Sequence, residues 1–166
     1  LAPAGAAPSG APPPVMTRVV ELCPLKIDGI HHSMEGVFQR AMLDTDDIGW
    51  ITGFRTEVVN AATGVPLGDE YFCHSQIQLA TGARLMVAAS GIPALQLPSG
   101  FGIPLQQIIG DLEEPWRDVS LLGMVLNNHD RDLSAEVNLR FLIDYVSASA
   151  PNATESVDKL YRASVT

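Results

Sequence analysis

Between residues 16 and 147, apolar residues recur at every second position in short runs, and no long stretch repeats them at i, i+3, i+4 and i+7 between capping residues. The clearest run is Glu136–Val146. Val137, Leu139, Phe141, Ile143 and Tyr145 fall on one side, and Asn138, Arg140, Leu142 and Asp144 on the other. A period of two puts these sets on opposite faces of a half-buried strand. Thr17–Leu22, Gly36–Met42, Gly49–Val59, Glu70–Leu79, Arg84–Ala89 and Val119–Leu126 read as further strands. Asn60-Ala61-Ala62-Thr63-Gly64 and Thr81-Gly82 read as turns between them. From Ile92 to Gly110 the pattern is broken by Pro93, Pro98, Gly100, Gly102 and Pro104, which predicts edge strands and loops. Within it, Leu105–Ile109 has strand character without a defined register. About eight short strands with turns between them, and no internal repeat, predict an all-β fold: an antiparallel β-sandwich of jelly-roll-like type over residues 16–147.

The flanks differ in kind. Residues 1–15, LAPAGAAPSGAPPPV, form an uncharged Pro/Ala/Gly-rich tract. Such a tract is an extended, polyproline-like tail that cannot order itself by burial. It lacks the basic and continuous apolar regions of a signal peptide. We expect another protein to hold it, with its own domain as the alternative. Residues 148–166 form a C-terminal extension, polar up to Ser156, with Val157–Val165 suited to a short helix or a last strand. The start at Leu1 reads as a processed end, and Asn152-Ala153-Thr154 fits a glycosylation acceptor. Together these features predict a periplasmic or extracellular location.

Composition narrows the function. The chain has 166 residues, 46% hydrophobic and 17% charged, enough apolar material for one domain with a core. No apolar run approaches the ~20 residues of a membrane span. Net charge is −9, and Lys26 and Lys159 are the only lysines. That balance repels phosphate backbones and anionic lipid, so neither nucleic acid nor a membrane surface is an expected partner.

Candidate chemistry is sparse. No His-Glu-x-x-His, P-loop, Gly-x-Ser-x-Gly or CxxC motif occurs. Asp44, Asp46 and Asp47, and likewise Glu113-Glu114, read as solvated acidic loops rather than calcium ligands. His31-His32-Ser33-Met34 carries donors that suit copper, but neighbouring strand residues point apart, which favours surface histidines. Cys23 and Cys73 are compatible with one disulfide worth ~3–4 kcal/mol. Trp50 and Trp116 are expected to pack, with Trp116, after Pro115, also suited to a surface anchor.

His74 lies in Tyr71-Phe72-Cys73-His74-Ser75, and His129 ends Val125-Leu126-Asn127-Asn128-His129. With Ile48-Gly49-Trp50-Ile51-Thr52-Gly53-Phe54, Glu57-Val58-Val59-Asn60, Pro66-Leu67, Glu70-Tyr71 and Leu97-Pro98-Ser99-Gly100-Phe101-Gly102, these segments resemble the copper-binding N-terminal domain of the ascorbate-dependent monooxygenases. Those are the peptidylglycine α-hydroxylating and dopamine β-hydroxylating enzymes and their stress-induced, nodulin-like relatives. The resemblance runs from about Ile48 to Val146. It implies an antiparallel β-sandwich and a copper held by an adjacent histidine pair and a later third histidine. Carried over by position, the ligands become Cys73, His74 and His129, so one of three departs from the family's pattern. The family's second sandwich, with its oxygen-activating copper, has no room in 166 residues.

These readings predict a non-enzymatic, extracytoplasmic β-sandwich subunit. Its partners would be other protein subunits of a larger envelope or membrane-associated complex, such as a respiratory or photosynthetic electron-transfer assembly. No cofactor is required by that reading. The alternative is a copper-binding domain for storage, delivery or electron transfer, using Cys73, His74 and His129. A third is half of a copper monooxygenase that needs a partner domain.

Overall fold

In the computed structural model, which describes residues 12–29, 37–114 and 116–150, nine strands follow one another. They are β1 (Val15–Gly29), β2 (Val37–Met42), β3 (Ile48–Asn60), β4 (Phe72–Leu79), β5 (Arg84–Ala89), β6 (Ala94–Gln96), β7 (Ile103–Pro104), β8 (Val119–Val125) and β9 (Leu133–Ser147). One 3-10 turn covers Asp69–Tyr71 and one short helix, α1, covers Leu105–Gly110. Residues 1–11, His31-His32-Ser33-Met34 and everything after residue 150 lie outside the described residues. The expectations placed on the distal tail, that copper motif, the Asn152 triplet and Val157–Val165 lie there too.

The strands form two antiparallel sheets. The first has the order β1-β9-β3-β6, with β7 also on β3; the second has the order β2-β8-β4-β5. The chain crosses repeatedly between the sheets, with β4-β5 a hairpin within the second, and this order makes the fold a jelly-roll β-sandwich. The alternation read in β9 holds: Val137, Leu139, Phe141, Ile143 and Tyr145 are all buried. They meet Phe54 and Val58 of β3 and Ile77, Leu121 and Val125 of the second sheet in one core. Phe54 and Phe141 stack with ring centroids 6.3 Å apart.

One polar contact crosses this core. Thr56 of β3 and Ser75 of β4 share a hydroxyl–hydroxyl hydrogen bond of 2.6 Å, and both residues are buried. Removing one hydroxyl strands the other away from water, while removing both strands neither. Thr56→Val and Ser75→Ala are each expected to cost ~1–3 kcal/mol. The double variant is expected to cost less than the sum of the two, measured as urea midpoints in a double-mutant cycle.

Three local expectations are corrected. Leu105–Ile109 is helix α1, not strand. Pro104 precedes it without a backbone N–H to lose, and Leu105, Ile108 and Ile109 stand at helical spacing, packed on the core. Strand β1 runs well past Leu22, because a register shift between Leu22 and Leu25 absorbs Pro24 in an edge strand. Trp116 is half exposed and does not join the core.

The loops follow the expected chemistry. Asn60 Oδ1 accepts from the N–H of Ala62 and Thr63, and Gly64 takes φ 69° to close that turn. The Asp44–Asp47 loop is tied internally, with Asp44 Oδ1 accepting from the Asp46 N–H and Asp47 Oδ1 from the Ser149 hydroxyl at 3.2 Å. Pro12, Pro13 and Val15 share a cleft of about 290 Å³ with Leu97–Gly102 of the same chain. The described end of the proline tract is therefore seated at its own sandwich.

Candidate functional site

Strand pairing decides where the candidate ligands stand. His74 lies on β4 opposite Met124 of β8 and Ala89 of β5, on the outer face of the second sheet. Cys73 occupies the irregularity between Phe72 and His74, and its Sγ is 3.2 Å from His74 Nδ1. The Cys73 thiol is free. Partial burial raises its pKa, which disfavours the thiolate form.

His129 stands elsewhere. After β8 the chain runs along the 3-10 turn, with the Leu126 N–H bonded to the Tyr71 carbonyl and the Asn128 N–H to the Glu70 carbonyl. Buried Asn127 fixes this bend by donating to the carbonyls of Gly29 and Arg131 and accepting from the His129 N–H. The His129 ring meets the edge of Tyr71 at 4.7 Å, and its Nε2 lies 3.9 Å from Glu70 Oε1 with no hydrogen-bond partner. The structure therefore pairs Cys73 with His74 and His129 with Glu70. Among the described residues, no three His, Cys, Asp or Glu side chains converge to hold a metal ion.

A different feature stands out on the outer face of the second sheet. Its four strands read VFQRAM, FCHSQIQL, RLMVAA and VSLLGMV, with two arginines and no carboxylate. Arg40 and Met42 of β2, Leu122 and Met124 of β8, Gln76 and Gln78 of β4, and Arg84, Val87 and Ala89 of β5 share this outer side by register. Met42 is 52% exposed and Val87 43%. Arg40 donates from Nε and Nη2 to Ser120 Oγ at 2.9 and 2.6 Å, which lays the guanidinium along the sheet.

The outer side of the first sheet is built differently. Glu21, Arg140 and Glu57 form a row across β1, β9 and β3, with Arg140 Nε 3.0 Å from Glu21 and Arg140 Nη1 3.6 Å from Glu57. Hydrogen bonds from Asn138 and Arg140 hold the Glu21 carboxyl below its ordinary pKa. The Thr17 hydroxyl donates to Asp144 beside this row. Arg140 therefore balances two carboxylates of that sheet. The acid-free character of the other sheet was present in the residues of each strand, but only the sheet order collects those strands into one surface.

The class that the fold and this surface define is a single jelly-roll sandwich with one uncharged-to-basic face on an otherwise acidic chain. Comparison with family models, with curated proteins and with solved structures finds no match to it. No helix among the described residues is long and apolar enough to cross a membrane.

Proposed function

We propose that this chain is a non-enzymatic β-sandwich subunit that docks on a larger protein complex through the outer face of the β2-β8-β4-β5 sheet. The observation that supports it is the absence of any Asp or Glu from those four strands in a chain where 19 acidic residues face 10 basic ones. Burying an unpaired carboxylate in an interface costs several kcal/mol, and this face avoids that cost. Met42, Met124, Arg40 and Arg84 are of the residue types enriched where proteins meet, Leu122 and Val87 add apolar area, and Lys, Asp and Glu are the types depleted there. Methionines adapt to a partner's shape. The partner surface that fits is apolar and bordered by carboxylates. An extracytoplasmic envelope or membrane complex is the setting proposed with this reading, on the composition of the tail.

The test places a photo-crosslinking residue at Met42 or at Val87 in the tagged full chain, expressed in its native host. Discrete adducts to a partner protein are expected from both positions. Val87→Glu is expected to weaken the association at least ~tenfold, since it buries a charge where none was paired. A chain that migrates alone in native extract and yields no adducts overturns the reading. Stoichiometric copper in the purified protein, lost on His74→Ala, replaces it with the copper-binding alternative.

A further inference from the structure

β1 ends the first sheet, and among the described residues no strand pairs with its outer edge. A strand with a neighbour on one side leaves every second N–H and C=O free on the other. Proteins blunt such edges with prolines, bulges and charges. In β1 those devices gather in the second half: Pro24, the register shift between Leu22 and Leu25, and exposed Lys26, paired with Asp28 at 2.9 Å. The first half, Val15–Leu22, has neither a proline nor a bulge. Val15 is 58% exposed, Met16 37% and Val19 53%, so three of the nine exposed large hydrophobics fall within five residues of one open edge. Its two charges are engaged within the molecule. Arg18 pairs with Asp44 at 3.7 Å and lies over the Tyr145 ring, and Glu21 pairs with Arg140.

We propose that this half of β1 pairs antiparallel with the same segment of a second copy, so that two first sheets join into one across a two-fold axis. The segment is self-complementary. With Val19 on the axis, Val19 faces its own copy, Arg18 faces Val20, Thr17 faces Glu21 and Met16 faces Leu22, so no like charges stand opposite each other. With Arg18 or Glu21 on the axis, like charges would meet directly, which is destabilising. That disfavours those two registers. A two-fold contact is also closed, so it gives a dimer and not a fibre. Pairing of about eight residues is a small interface, consistent with a dimer in micromolar exchange. The inference does not rest on the docking face, which belongs to the other sheet.

Sedimentation velocity of the full chain through the micromolar range is the test. A reversible monomer–dimer equilibrium is expected. Val19→Lys places two ammonium groups at the axis and is expected to raise the concentration of half-dimerisation ~tenfold or more. Val65→Lys, at an exposed loop position, is expected to leave it unchanged. A circular-dichroism melting midpoint near the parent's confirms that Val19→Lys still folds. In a Cys23→Ser, Cys73→Ser background, Val19→Cys is expected to form a copy-to-copy disulfide, and Val65→Cys none. A chain that stays monomeric throughout and gives no Val19→Cys dimer overturns the inference, as does a dimer indifferent to Val19→Lys. Loss of the adducts at Met42 and Val87 with the dimer intact would count only against the docking face.

Discussion

Truncation of Phe141 to alanine is expected to lower the stability of this domain by about 3–5 kcal/mol. The ring is fully buried and stacks on Phe54 across adjacent strands of the first sheet, at an interplanar angle of 10°. Across the sandwich it reaches Gly123 of β8. Removing it deletes contacts with both sheets at once. The hole cannot close by a small shift, because β9 is laddered to β1 on one side and to β3 on the other. Domains of this kind hold only ~5–15 kcal/mol in total, so the variant is expected near the edge of folding at 37 °C. Urea denaturation followed by circular dichroism measures the effect. The midpoint should fall with the slope unchanged, whereas Val87→Ala, half exposed on the outer face, should move it little. A loss below ~1 kcal/mol for Phe141→Ala would show that the ring does not sit where the two sheets meet.

Gly123→Val tests the opposite sign of packing error. Strand propensity alone predicts a gain, since glycine inside a strand weakens it by ~0.5–1 kcal/mol. Sterics predict a loss. A Cβ at Gly123 would lie 2.4 Å from Leu139 Cδ2 and 3.0 Å from Phe141 Cζ. Both of those residues are fully buried, so neither has free space to retreat into, and overpacking of this kind costs ~1–3 kcal/mol. The steric term outweighs the propensity term, and Gly123→Val is expected to destabilise by roughly 1–2 kcal/mol net. Leu139→Ala opens the room that the valine needs. The pair Gly123→Val with Leu139→Ala is therefore expected to be more stable than the sum of the single effects, by ~0.5 kcal/mol or more in a double-mutant cycle. Simple additivity would mean that β8 and β9 do not face each other at this point.

Much of this fold was legible in the residues themselves. In β9 the strict alternation from Val137 to Tyr145 identified the buried face, and all five of its apolar residues are in the core. The Asn60–Gly64 turn and the proline-broken edge region, which became β6 and β7, were equally clear, because turn chemistry is local. Less legible was Leu105–Ile109, where five residues suit a strand or a helix and Pro104 decides. The strand read over Thr17–Leu22 was too short, because a bulge against β9 carries β1 on past Pro24. His74 and His129 were readable as residues but not as neighbours. The bend held by Asn127 sets His129 beside Glu70 and Tyr71.

By itself, then, the amino-acid order determined which residues face inwards, where the chain turns and that the class is all-β. A period of two records only the two sides of a strand, and it carries no record of which other strands lie beside it. The grouping of β2, β8, β4 and β5 into one acid-free sheet, and the exposure of β1 at an open edge, were decided by the tertiary structure. They depend on packing between segments up to about 130 residues apart. The residues of the docking face and of the dimer edge were present all along the chain, and only the meeting of two sheets turns them into surfaces.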